Sequence, residues 1–134
     1  MAAPLFSSVH HVAVICSDYE RSKRFYTETL GFAIRSETFR AERRSYKLDL
    51  DLGGGVALEL FSFPEPPRRA TQPEACGLRH LAFGTPAFEA VLRELGRRGV
   101  ALEPVRTDAG TGQRFTFCAD PDGLPIEVYE TGAA

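Results

Sequence analysis

A chain of 134 residues suits one compact domain, or two very small modules sharing a core. Hydrophobic residues make up 43% of it, with ten phenylalanines among them, so disorder is expected only at the ends, residues 1–4 and 132–134. The formal net charge of -2, from 16 basic and 18 acidic side chains, is too weak a field to expect nucleic acid or an anionic membrane as partner.

The first strand is expected over residues 9–15, where branched residues alternate with others. Asp18 is placed to cap a helix that begins near Tyr19. Ser22, Phe25, Tyr26, Thr29 and Leu30 fall on one face of that helix, and Gly31 is placed to end it. Three strands follow, over residues 32–39, 45–52 and 56–63, with the run Gly53-Gly54-Gly55 supplying a tight hairpin. Residues 64–76, rich in proline and charge, read as a linker. A strand over residues 78–84 leads into a second helix near Pro86, with Phe88, Val91, Leu92 and Leu95 as its apolar stripe and Gly96 and Gly99 at its end. Strands over residues 101–106, 114–119 and 125–130 complete the chain. This order gives an α+β protein of two βαβββ modules, residues 8–63 and 77–130, together forming one domain.

No stretch reaches the roughly eighteen apolar residues of a membrane span, and the first residues lack a basic region followed by an apolar run. Cys16, Cys76 and Cys118 are odd in number and widely spaced, forming neither a disulfide framework nor a CxxC knuckle. A cytoplasmic setting is the simplest expectation.

The two modules repeat in sequence. His11-Val12-Ala13-Val14 matches His80-Leu81-Ala82-Phe83, and Val56-Ala57-Leu58-Glu59-Leu60-Phe61 matches Leu124-Pro125-Ile126-Glu127-Val128-Tyr129. The interval from His11 to Glu59 differs by one residue from that between His80 and Glu127. Strand alternation puts His11, Ala13 and Ile15 on one face, and Glu59 with Phe61 opposite Leu58 and Leu60; Glu127 with Tyr129 opposes Ile126 and Val128 in the same way. A carboxylate in so apolar a strand needs a compensating cation, either a divalent metal or an arginine. A donor set of two imidazoles and two carboxylates suits Ni, Zn, Co, Mn or Fe and is too poor in oxygen for a typical calcium site. His10, facing away from His11 in a regular strand, is expected to be structural or to support the site from behind. The three cysteines lack the neighbours of an activated nucleophile.

These motifs, with Ser22-Lys23-Arg24-Phe25-Tyr26 through Leu30-Gly31-Phe32 and the turn Asp120-Pro121-Asp122-Gly123, resemble the glyoxalase I / bleomycin-resistance / extradiol-dioxygenase (vicinal oxygen chelate, VOC) superfamily. Glu59-Leu60-Phe61-Ser62-Phe63-Pro64, the run from Cys76 to Phe83, and Arg114-Phe115-Thr116-Phe117 are most similar to its small glyoxalase-like bacterial proteins. The resemblance implies a curved mixed sheet around a metal site. It implies His11, Glu59, His80 and Glu127 as ligands of one divalent metal, with Glu59 or Glu127 as catalytic base. It also implies a homodimer acting on a small molecule.

The activity implied is that of a lyase or isomerase like lactoylglutathione lyase, acting on a small oxygen-chelating substrate such as a hemithioacetal. Thiol transfer, extradiol-type ring cleavage and non-catalytic binding of the resistance type are the alternatives that the same family holds. Arg114, Tyr46 and Phe61 are the candidate substrate contacts; Arg40, Arg43, Arg44 and Arg79 are further guanidiniums able to grip a carboxylate or phosphate.

Overall fold

The computed structural model describes residues 2–132. Of the ends expected to be loosely held, Met1, Ala133 and Ala134 lie outside the described residues. The chain divides between Pro66 and Pro67 into two compact units.

In the first unit β1 (His11–Cys16) leads into α1 (Tyr19–Arg24), which Asp18 caps by accepting a hydrogen bond from the Arg21 backbone N–H at 3.2 Å. The helix continues as a wider π-helical turn, Phe25–Thr29, closed by the Leu30 N–H on the Phe25 carbonyl at 2.9 Å. The Thr27 hydroxyl donates back to the Lys23 carbonyl at 2.7 Å, a contact that competes with regular helix bonding. Gly31 then turns the chain with φ +85, a conformation that glycine adopts without strain. Strands β2 (Ala33–Arg40), β3 (Ser45–Asp51) and β4 (Ala57–Ser62) follow, with a 3₁₀ turn, Ala41–Arg43, between the first two.

The second unit repeats the order with β5 (Leu81–Thr85), α2 (Phe88–Arg97), β6 (Arg106–Thr107), β7 (Arg114–Ala119) and β8 (Pro125–Glu130). Its second strand, expected over residues 101–106, is only Arg106–Thr107. Pro104 cannot donate to a ladder, and residues before Arg106 are held by isolated bonds instead: the Glu103 N–H on the Phe117 carbonyl at 2.9 Å and the Thr116 hydroxyl on the Glu103 carbonyl at 2.6 Å.

Each unit is thus a βαβββ module with one mixed sheet, in the orders β1-β4-β3-β2 and β5-β8-β7-β6. The pairs β1/β4 and β5/β8 are parallel and the rest antiparallel. The α+β class stands, but the single curved mixed sheet around a metal is corrected: the strands form two separate sheets, neither curved nor closed. Curling a sheet takes bulges or kinks within its strands. These ladders run in unbroken register except for one shift between Ile34 and Ser36.

The core of each unit lies between its sheet and its helix. Leu48, Leu50, Leu58, Leu60 and Tyr26 are fully buried in the first unit, and Ile126, Val128, Phe88 and Leu95 are buried in the second. Complete burial of such a side chain contributes about 1.5–3 kcal/mol. Because α1 packs on β4 and α2 on β8, alternation sends Glu59 and Glu127 to the opposite, helix-free face.

Candidate functional site

Burial follows the expected alternation. In β1 Val14 and Cys16 are buried while His11, Ala13 and Ile15 are exposed. In β4 Leu58 and Leu60 are buried and Glu59 and Phe61 are not. In β8 the same holds for Ile126 and Val128 against Glu127 and Tyr129. The parallel ladders then fix each histidine relative to its glutamate. Ala13 lies opposite Glu59, with His11 two residues earlier on the same face. Ala82 lies opposite Glu127, with His80 two residues earlier.

The result is one His–Glu pair in each unit. His11 Nε2 stands 3.7 Å from Glu59 Oε1, and His80 Nε2 stands 3.1 Å from Glu127 Oε1. The glutamate side chains keep only 17% and 13% of their exposure, so each carboxylate is largely withdrawn from water. Among the described residues no group of three or more His, Cys, Asp or Glu side chains is gathered closely enough to hold a metal. Each unit on its own presents two donors.

The pairs differ in their neighbours. Beside Glu59, at its register position on β3, is Asp49, and Lys47 Nζ lies 3.9 Å from Glu59 Oε2 and 3.8 Å from Asp49 Oδ1. Beside Glu127, at the equivalent position on β7, is Phe117, whose ring meets His80 edge-on at 5.1 Å between centroids. His11 instead meets His10: the two Nδ1 atoms are 2.9 Å apart. His10 precedes the start of β1, so strand alternation does not govern it, and its ring reaches its neighbour rather than the opposite face. One of these two Nδ1 atoms must carry a proton for the contact to be a hydrogen bond, which leaves His11 Nε2 as the atom turned to Glu59.

Of the candidate substrate contacts, Arg114 is already engaged. Its guanidinium donates to Glu130 at 2.8 and 3.3 Å and to Glu89 at 2.9 Å, lies over the Phe88 ring, and is pushed to a higher pKa by those carboxylates. Tyr46 stacks on Tyr19 at 4.2 Å and touches Phe39. Phe61 stacks on Phe63 and carries the Arg40 guanidinium over its ring at 4.9 Å. Arg79 is paired with Glu74 at 2.5 Å. Two guanidiniums that the sequence did not single out, Arg69 and Arg106, line a cavity with His80 and Glu127.

The Glyoxalase/Bleomycin resistance protein/Dioxygenase superfamily model matches residues 8–128. YwkD of Bacillus subtilis is 58% identical over 94% of this chain and 98% of its own, and YaeR of Escherichia coli is 52% identical over 91% and 95%. The crystal structure of a glyoxalase family protein from Enterococcus faecalis superposes with a TM-score of 0.87 at 46% identity, over 95% of this chain and all of that one.

Proposed function

We propose, because the chain belongs to the Glyoxalase/Bleomycin resistance protein/Dioxygenase superfamily, that it is a metal-dependent glyoxalase-like lyase or isomerase. Its substrate would be a small molecule with two neighbouring oxygens, of the hemithioacetal class. The observation that carries this reading is the duplicated pair, one imidazole against one sheltered carboxylate at the same register in both units. His11, Glu59, His80 and Glu127 would hold one divalent transition metal, Ni, Zn, Co, Mn or Fe. The donor chemistry fits: two imidazoles and two carboxylates balance the ion's charge, and the sheltered carboxylates gain a cation. A divalent ion held there supplies stabilisation of negative charge developing on the substrate oxygens.

The chain's own part is to move a proton. A glutamate takes it from one substrate carbon and returns it to the neighbouring carbon, so that the product is an isomer and no group is lost. Either Glu59 or Glu127 could serve, and their surroundings differ: Lys47 Nζ lies 3.9 Å from Glu59 Oε2, whereas His80 is the ion-pair partner that Glu127 has among the described residues. The reading includes a homodimer in the cytoplasm; light scattering that gives only a 14.8 kDa species at low micromolar concentration rejects the dimer.

The test loads wild type and Glu59→Gln with Ni, Zn, Co and Mn in turn, and measures metal affinity and turnover of hemithioacetals made from several thiols. The variant is expected to hold metal about 10–100-fold more weakly and to lose any isomerase rate. Equal affinity in both proteins removes Glu59 from the ligand set. A fully loaded wild type that turns over none of the substrates ends the lyase or isomerase reading.

A further inference from the structure

Residues of the second unit line a half-open cavity of about 440 Å³, within the range of small-molecule sites. Its wall holds His80 and Glu127, an aromatic side formed by Phe115 and Phe117, and the guanidiniums of Arg69, Arg79 and Arg106. These three cations are not alike. Arg79 is neutralised by Glu74, which it grips at 2.5 and 3.4 Å. Arg106 makes no hydrogen bond among the described residues; its ion pair with Glu103 spans 3.7 Å with both side chains more than half exposed, and its guanidinium rests over Phe115 and Phe117 at 5.0 and 5.7 Å.

Arg69 is the unusual one. It has no carboxylate within ion-pair distance among the described residues. Its Nε donates to the Thr71 hydroxyl at 2.7 Å, and its Nη2 donates to the backbone carbonyls of Leu78 at 3.1 Å and Arg79 at 3.3 Å. Thr71 in turn donates to the Gly123 carbonyl at 3.3 Å, which ties the arrangement to the turn before β8. Neutral acceptors orient a guanidinium without cancelling its charge. Of the five N–H donors of an arginine, the two on Nη1 are left without a protein partner among the described residues. A half-buried cation, fixed in place and uncompensated, beside an aromatic wall, is complementary to a planar or tetrahedral oxyanion carried on a small apolar body. The first unit lacks this combination: Lys47 and Asp49 occupy the positions of Phe115 and Phe117.

We propose that this cavity binds the anionic group, carboxylate or phosphate monoester, of a small organic molecule. Arg69 is the fixed anion-binding residue, Arg106 a movable second guanidinium, and Phe115 with Phe117 cover the apolar body. The proposal goes beyond the metal reading and does not rest on it, since none of these four side chains is a proposed metal donor.

The experiment titrates metal-free protein with phenyl phosphate, benzoate and benzyl alcohol at low and high salt, followed by amide chemical shifts. At least one anion is expected to bind about tenfold or more tightly than benzyl alcohol, with salt-sensitive shifts at residues 69, 106, 115 and 117. The tighter of the two anions names the group. Arg69→Gln and Arg106→Gln are each expected to weaken anion binding by about tenfold. Arg69 also steadies backbone, so Arg106→Gln, which breaks no hydrogen bond, keeps the test valid if Arg69→Gln unfolds. Benzyl alcohol binding as tightly as both anions, or anion affinity unchanged in Arg106→Gln, overturns the proposal. A wild type that binds the anion yet retains no added metal upholds this proposal and ends the metal reading.

Discussion

The helix-free faces of the two units carry the same histidine and glutamate at the same register but are dressed differently. In the first unit the pair sits among charges, with Asp49 beside Glu59, Lys47 within 3.9 Å, and His10 against His11. In the second it sits beside rings, with Phe117 next to Glu127 and edge-on to His80, and Phe115 beyond. A repeated βαβββ frame preserves strand register, and register alone brings each imidazole to its carboxylate. What lies opposite on the antiparallel neighbour strand is free to differ. The difference is one of surroundings: the first pair has an ammonium and a second carboxylate beside it, and the second has aromatic rings.

Exchanging those neighbours gives the largest expected effect. Phe117→Ala removes the ring beside Glu127 and is expected to weaken phenyl phosphate or benzoate binding by about 30-fold, the scale of losing a central aromatic contact. Asp49→Ala, at the matching position of the first unit, should change it by less than about threefold. Calorimetric titration of both variants checks this, and equal losses would erase the distinction between the faces. A smaller effect is expected from His10→Gln. It removes the contact to His11 Nδ1 and should weaken metal binding by about tenfold at most. Competition with a metal chelator reads this; an effect as large as that of losing His11 would make His10 a ligand itself.

The smallest effect concerns the cores. Cys118 is buried and its thiol is pushed up to about 11 by that burial first, then by Asp120 and Glu103. Cys76 is exposed. Iodoacetamide at pH 8 is therefore expected to label Cys76 and spare Cys118 in mass-mapped digests. The sign of the linkage is destabilising at high pH: an unfolded chain ionises this thiol from its ordinary 9.0, the folded one only near 11, so stability falls slightly as pH climbs through that window. Rapid labelling of Cys118 at pH 8 would show the second unit to be open.

The sequence carried the faces well because alternation is a local rule. Leu58 and Leu60 against Glu59, and Ile126 and Val128 against Glu127, are legible from their spacing and are buried and sheltered accordingly. It misled at places where a strand begins or fails to form. His10 escapes alternation because β1 starts one residue later, and residues 101–105 escape the ladder because Pro104 interrupts it. The curved sheet is implied by the resemblance alone, and nothing in the local pattern calls for the bulges that curvature needs. Arg69 was invisible for another reason. Its partners are a hydroxyl and two carbonyls brought close by folding, and within the run Arg68-Arg69 it reads as one more surface charge.

On the proposed reading both His–Glu pairs serve a single metal. Elemental analysis of wild type, His11→Gln and His80→Gln, purified without a metal affinity column and reloaded with a slight excess of nickel or zinc, tests it most directly. About one tightly held ion per chain is expected in wild type, with loss of most of it in either variant, although each variant leaves one pair untouched. Two ions per chain in wild type, with one retained in each variant, would contradict it and make each unit a separate site.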